Sequence, residues 1–297
     1  MPSVTCLAKE IIVKTILNKH KKRDDWFLDD YSLNPYKLCA FNCIYCYIRG
    51  SKYGQNMGKE LAVKINAPKL LERALRRRAR KKEYGFIALS SSTEAWQPIE
   101  EEYKITRQCL EIISRYRFPI HCGTKSQLIL RDIDILSEID KNAILPPDLG
   151  DKLNHGVLIT FSLSTLDEHI SRIFEPGAPK PKERLETLQK IKEEGFFAGI
   201  AYIPVLPFIS DSYEKLEEMI KTAKEYNADY VFVGALTLFG VGKELYLHTL
   251  KIHFPDLIPK YKKLYRIFNY PSKEYQQKLE NLARKLCNKY GVKYMIL

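Results

Sequence analysis

The chain has 297 residues, 45% hydrophobic and 28% charged, an ordinary globular composition that excludes a disordered chain, a coiled coil and a collagen-like repeat. Its 48 Lys and Arg outnumber its 36 Asp and Glu, for a formal charge of +12, which permits an anionic partner without naming one. The length suits one α/β barrel or two smaller domains.

Taken in chain order, residues 1–30 read as an N-terminal extension. Its first residues, MPSVTCLAKEIIVK, hold no continuous apolar stretch and no small-residue cleavage site, so no secretory leader is expected. No run of eighteen apolar residues predicts a membrane span. From residue 31 to 245 short apolar runs alternate with helical stretches, the pattern of βα units around a parallel sheet. Leu61–Ile65 predicts a strand and Pro68–Lys82 a helix. Phe86–Ser90 is a strand, then Glu101–Tyr116 a helix. Pro119–Gly123, Val157–Leu163, Phe197–Ile203 and Tyr230–Leu236 are further strands. Asp132–Ile139, Lys182–Glu194 and Ser212–Tyr226 are helices between them. Strands this apolar are buried on both faces, as parallel strands are. Residues 246–297 form a basic helical C-terminal extension, in which Tyr275, Leu279, Leu282, Leu286 and Tyr290 share one face of a 3.6-residue period. Cys287 beside that stripe reads as a small buried hydrophobe.

In a barrel of βα units, chemistry sits at the C-terminal strand ends. Those ends carry Ser90 to Glu94, Thr124 to Ser126, Ser162 to Thr165, and Tyr202 to Pro204. One such cluster is ordinary loop chemistry; four in succession point to a site.

The charge is confined to two segments. Glu72 to Glu83 holds seven Lys or Arg and two acids, and Lys251 to Leu297 holds eleven and three, leaving the remainder close to neutral. Arg73, Arg76, Arg77 and Arg80 fall on one helix face, which is either a solvated surface or a phosphate-binding one. In the C-terminal segment Lys260, Lys262, Lys263, Arg266 and Lys273 are interleaved with Tyr261, Tyr265, Phe268 and Tyr270. That pattern fits base stacking along a nucleic-acid strand, or an amphipathic helix whose aromatics face the core.

Cys39, Cys43 and Cys46 stand with three, then two, residues between them. Three thiolates on a short loop suit three irons of a [4Fe–4S] cluster and leave the fourth iron open to a substrate or cofactor. A closed zinc site needs a fourth ligand. The other cysteines, Cys6, Cys109, Cys122 and Cys287, are scattered and form no second pair. An odd count of seven without a leader suits reduced or metal-bound thiols in the cytoplasm.

The spacing, with Tyr45 before the last cysteine, resembles the signature of the radical S-adenosylmethionine (radical SAM) superfamily. The words NPYKLCAFNCIYCYIRG, TKSQLILRDIDIL, FEPGAPKPKERLETL and YIPVLPFISD resemble its spore photoproduct lyase-like branch, often labelled DNA repair photolyases. The resemblance runs from about Asn34 to Asp211. It implies a partial (β/α)6 TIM-type barrel and a [4Fe–4S] cluster held by Cys39, Cys43 and Cys46. It also implies an electron donor of flavodoxin or ferredoxin type, and S-adenosylmethionine (SAM) cleaved to a 5′-deoxyadenosyl radical that abstracts hydrogen from a substrate. Such a radical demands a dry, closed pocket.

By the same resemblance Tyr45 packs at the adenine edge, Glu94 meets the SAM ammonium, and Lys125 pairs with the SAM carboxylate. Ser162 is placed for the ribose or carboxylate. Ser164 either joins it or caps the next helix, and Tyr202 either packs on adenine or belongs to the core. Glu175 and Arg184 either form an ion pair or touch substrate. The branch's radical-quenching cysteine is replaced here by Ser90 or Ser91, and a serine O–H is a poor hydrogen-atom donor. Tyr47 as a relay and Cys122 as a substitute thiol are the candidates for that step, although Cys122 also suits a buried strand position. The basic Arg76, Arg77 and Arg80 suggest a nucleic-acid lesion or base as substrate. A small-molecule or protein substrate remains the alternative, as does a non-enzymatic zinc module that binds nucleic acid.

Overall fold

The computed structural model describes residues 8–51, 54, 57, 60–266 and 268–297. The first residues of the expected extension, with Cys6, lie outside them. Contacts divide the chain into two compact units, residues 1–40 with 56–159, and residues 41–55 with 160–297.

In the first unit β1 (Lys9–Ile11), β5 (Ala62–Lys64) and β4 (Tyr36–Lys37) form a small sheet in the order β1-β5-β4. A second set runs β7 (Ile120–Thr124), β6 (Ile87–Leu89), β3 (Tyr31–Leu33) and β2 (Leu17–Lys19). Its β6 is parallel to both neighbours, and β2 is antiparallel at the edge. Residues 17–19 of the expected extension are thus a strand. Four helices complete this unit: α1 (Ala67–Arg80), α2 (Glu100–Tyr103), α3 (Ile105–Tyr116) and α4 (Ile133–Asn142). On α1 the buried Ala67, Leu71 and Leu75 lie four residues apart, and α1 packs on α3.

The helix expected over 101–116 is two helices, because Lys104 takes a left-handed conformation, φ 50°. The buried Glu100 carboxylate is the reason. It accepts from the backbone N–H of Thr106 (2.9 Å) and Arg107 (3.2 Å), satisfying first-turn donors of α3 that a helix start leaves open.

β8 (Val157–Leu163) begins in the first unit and ends in the second. All its residues but Ser162 are buried, as its mostly apolar sequence predicts. The second unit continues with α5 (Glu168–Phe174), α6 (Pro181–Glu193), β9 (Phe197–Val205), α7 (Tyr213–Glu225) and β10 (Tyr230–Ala235). It closes with α8 (Gly240–His253), α9 (Ile258–Leu264), α10 (Lys273–Tyr290) and β11 (Lys293–Tyr294). Its strand order is β11-β10-β9-β8, and β10 is parallel to both β9 and β11. The α/β class, the parallel strands and the helical C-terminal segment match expectation. α10 starts on a Ser272 cap, ends on left-handed Gly291, and packs on α7 and β10. Cys287 is buried there, and burial pushes its thiol up to about 12. No helix among the described residues is long and apolar enough to cross a membrane.

His121 of β7 is buried, with Nδ1 2.7 Å from the Phe27 carbonyl oxygen and its ring against Phe27. Burial pushes its pKa down to about 4. Between that value and the ordinary value near 6.5 the unfolded chain binds the extra proton, so stability rises with pH in this window. Acidification from about pH 6.5 to about 4 is therefore expected to cost up to about 1.4 kcal/mol per pH unit from this one group. Denaturant melts across that range check it: His121→Phe should flatten the slope.

Candidate active site

The cysteine loop is held by its own backbone. In the second unit the Cys46 N–H donates to the Cys43 carbonyl at 3.3 Å, and Cys46 opens a single 3-10 turn, Tyr47–Gly50. Arg49 on that turn reaches back, Nε to the Cys43 carbonyl at 2.8 Å and Nη2 to the Asn42 carbonyl at 2.9 Å. A Cβ on Gly50 would stand 2.4 Å from the Phe239 carbonyl oxygen, so only glycine fits beside α8. The Ile44 N–H donates to Phe174 (2.8 Å), and the Gly177 N–H donates to Phe41 (3.1 Å). The loop is thereby laced to the segment that follows α5. Cys43 is buried, while Cys39 and Cys46 are half-buried. In the first unit, the residue after Cys39 is tied down: Ala40 N–H donates to Gln97 Oε1 at 2.9 Å.

These donors are soft thiols without a histidine or carboxylate among residues 39–46, a set that suits iron and sulfide. No group of three or more His, Cys, Asp and Glu among the described residues is arranged to hold a metal ion. A cubane differs from a single-ion site in taking one thiolate on each of three irons.

Glu175 is the centre of the second unit's buried polar network. Its side chain is 2% exposed and that of Arg184 0%. Arg184 Nη2 donates to Glu175 Oε2 at 2.5 Å, Nη1 to the Ser162 carbonyl at 3.0 Å and Nε to the Pro179 carbonyl at 2.8 Å. Glu175 also accepts from the hydroxyls of Ser164 and Ser171, both at 3.1 Å, and from the Tyr45 phenol. Burial, and then the Glu175 charge, hold the Tyr45 pKa well above its ordinary value, so it stays a donor. Of the two readings of Glu175 and Arg184, the structure shows the ion pair. Ser164 does not cap α5. Asp167 does, accepting from His169 and Ile170, and Ser164 serves Glu175 instead. Ser162 is half-buried, with Oγ 3.2 Å from the Ile203 carbonyl. Tyr202 is a core residue whose phenol donates to the Ser210 carbonyl at 2.6 Å.

In the first unit Glu94 is buried, which raises its pKa. Three donors offset that rise: Thr124 Oγ1 at 2.8 Å, Trp96 N–H at 3.1 Å and Lys125 N–H at 3.0 Å. Glu94 therefore brackets the ends of β6 and β7. Lys125 meets it through its backbone, with its side chain half-buried. Ser90 takes φ 75° and accepts from the Ala95 N–H at 2.8 Å. Of its two readings, Cys122 occupies the buried strand position inside β7, where burial drives its thiol pKa well up. Tyr47, by contrast, is 52% exposed. Arg76, Arg77 and Arg80 are exposed on α1, with Arg76 reaching the Tyr116 hydroxyl and Glu72.

Two contributors were not singled out from the sequence. Arg49 was legible only as a basic residue three places after Cys46. Asn34, at the head of the same motif, accepts from Ser92 N–H at 2.9 Å and donates to Ser91 Oγ at 3.0 Å. It fixes the loop after β6, and its carbonyl receives the Lys64 ammonium at 2.6 Å.

Residues 33–223 match the radical SAM superfamily. The chain belongs to that superfamily. This makes it an enzyme of the radical SAM class, a class that uses SAM and an iron–sulfur cluster, and it overturns the reading as a non-enzymatic zinc module. The radical SAM chain is 27% identical over 266 residues to an uncharacterized protein of Mycobacterium tuberculosis, covering 88% of this chain and 74% of that one. Its fold is that of spore photoproduct lyase. A mutant of that enzyme superposes with a TM-score of 0.70 at 14% identity, over 96% of this chain and 80% of the other. A second mutant, with bound AdoMet and dinucleoside spore photoproduct, gives 0.67 at 15% identity over 92% and 78%.

Removing one partner of a buried ion pair strands the other charge, at a cost of about 3–5 kcal/mol. Glu175→Gln in this radical SAM enzyme should lose that much stability in denaturant melts, whereas Tyr45→Phe, which removes one donor to the charged carboxylate, should lose about 2 kcal/mol. Equal losses would show that the pair is not the centre of the network.

Proposed function

We propose that this enzyme is a spore photoproduct lyase-like radical SAM enzyme acting on a nucleic-acid lesion or base. The observation that carries the reading is the loop of Cys39, Cys43 and Cys46, pinned by Arg49 and by the Tyr45–Glu175–Arg184 network. When bound there, a [4Fe–4S] cluster supplies the electron that splits SAM into methionine and a 5′-deoxyadenosyl radical. The chain's part is to bind, orient and keep water out.

In this reading the three cysteines hold the cluster. Glu94 faces the SAM ammonium; a carboxylate has about four acceptor positions, three of which Trp96, Thr124 and Lys125 already occupy. Lys125 pairs with the SAM carboxylate, Ser162 with the ribose or carboxylate, and Tyr45 borders the adenine. Ser164 acts on the site through Glu175 rather than on SAM. Tyr47, exposed beside Cys46, is the hydrogen-atom relay. The electron comes from a flavodoxin or ferredoxin in the cytoplasm. Support for a nucleic-acid substrate comes from the exposed arginines of α1 and from the related fold of an enzyme that holds a dinucleoside lesion.

Anaerobic reconstitution tests the chemistry. The wild type should turn brown and release 5′-deoxyadenosine under dithionite, Cys43→Ala should do neither, and Lys125→Ala should keep the colour while binding SAM at least tenfold more weakly. A colourless protein holding one tight zinc would overturn the reading. For the substrate, replacing Arg76, Arg77 and Arg80 by Ala should lower the slope of log K against log salt for duplex DNA by about 2 to 3, near 0.9 per lost phosphate contact. An unchanged slope would return the three arginines to ordinary surface.

A further inference from the structure

We propose that the exposed face of residues 257–266 and 268–273 binds single-stranded nucleic acid, with Phe268 and Tyr270 as its base-stacking platform. The inference rests on the nucleic-acid reading above and names the part of the molecule that takes unpaired nucleotides.

The segment holds Lys260, Lys262, Lys263, Arg266 and Lys273 and no acidic residue, and all five cations are exposed. Phe268 and Tyr270 are 56% and 52% exposed, and their rings lie 5.5 Å apart at 15°, a parallel stack at the surface. The segment sorts its aromatics. Tyr261 and Tyr265 are buried, and their phenols donate to the Pro207 carbonyl at 2.6 Å and the Leu236 carbonyl at 2.7 Å. Core packing therefore accounts for two of the four rings and leaves the other two in water.

The platform does not hang on a loose loop. Between the two rings, the Asn269 carbonyl accepts from the Leu238 N–H at 2.6 Å. Lys243 Nζ donates to the Tyr265 carbonyl at 3.2 Å on one side. On the other side Pro271 is buried and Ser272 caps α10. Rings held in this way keep little conformational freedom to lose when a base joins the stack. Every base offers a π-face, and stacking on an aromatic contributes about 1–3 kcal/mol per base irrespective of sequence. The cations supply the phosphate attraction. A duplex hides its base faces and is read by helices or ribbons in its grooves, which a stacked pair on a loop is not. A lipid surface calls for an amphipathic helix with its aromatics along one apolar face, and these two rings lie between helices.

The full chain is titrated into a labelled oligothymidine of about 20 nucleotides and into the matching duplex, read by anisotropy at several salt concentrations. Phe268→Ala with Tyr270→Ala should weaken single-strand binding by about 10- to 100-fold and leave the salt slope unchanged. Lys262→Ala with Lys263→Ala should lower the single-strand slope by about 1.4. All four side chains are exposed, and an unchanged thermal melt verifies folding. Unchanged single-strand affinity in the aromatic double variant overturns the inference. So does binding to phosphatidylserine vesicles without binding to the oligonucleotide. If duplex binding persists and depends on Arg76, Arg77 and Arg80 while the aromatic variant changes nothing, this surface is wrong and the nucleic-acid substrate stands. If neither nucleic acid binds, both fall, while release of 5′-deoxyadenosine reports separately on the radical SAM chemistry.

Discussion

The buried pair of Glu175 and Arg184 is the constraint on which the second unit depends. Two opposite charges removed from water are costly, and their attraction offsets that cost only where the remaining donors and acceptors are also satisfied. Here they are: Glu175 takes four donors, and Arg184 spends its other N–H groups on the carbonyls of Ser162 and Pro179. A buried pair contributes uncertain stability but fixed direction. Its three connections lead to Tyr45 in the cysteine loop, to the last turn of α5 and to the end of β8. Moving any one of them breaks hydrogen bonds in a low-dielectric interior, where such networks act as units. The loop also meets Phe174 and Gly177 through its backbone, so its position is fixed twice, once by charge and once by main chain.

The first unit meets the same requirement with different residues. Glu100 and Asp132 are both fully buried around Arg131, which lies 2.7 Å from one and 2.8 Å from the other, and the Trp96 indole N–H donates to Asp132 at 2.8 Å. Glu94 then joins the ends of β6 and β7. Strand ends leave backbone groups without ladder partners, and buried groups must find others. In the first unit the Glu94 carboxylate accepts from two backbone N–H groups, and in the second the Arg184 guanidinium donates to the Ser162 carbonyl at the end of β8. The clustering of polar residues behind each apolar run is thus largely a matter of backbone satisfaction.

The parts of the fold legible in the sequence were those with their own local signal. β8 was read to the residue because its run is mostly apolar, and α10 was read as a helix, without its bounds, because its stripe persists over four turns. The break at Lys104 was not legible, since it is made by a carboxylate capping the next helix across a left-handed residue. The strands over 9–11, 17–19 and 31–33 are three residues each; the first and third take their identity from β5 and β6, far along the chain, and the second from the third; KEI and LNK have no period to detect. Within the site the cysteines and Glu94 were legible by motif. Glu175 and Arg184 were visible as words, but their pairing with Tyr45, across 130 positions, needed the fold. Ser164 and Cys122 illustrate the converse: residue type suggested chemistry, and burial assigned them to support and to the core.

The same limit applies to charge. Arg184 and Arg76 count equally in the formal +12, yet one is sealed inside with each of its three nitrogens hydrogen-bonded, and the other stands in water, where its contact to Glu72 contributes little. Burial also divides the aromatics of the C-terminal segment. Tyr261 and Tyr265 carry a hydroxyl that finds a carbonyl in the core, as a buried phenol must, whereas Phe268 and Tyr270 are left outside stacked on each other. A count of basic and aromatic residues cannot separate a core from a binding surface. Asking of each side chain whether the interior satisfies it does separate them, and the side chains it leaves exposed include the arginines of α1 and the ring pair before α10.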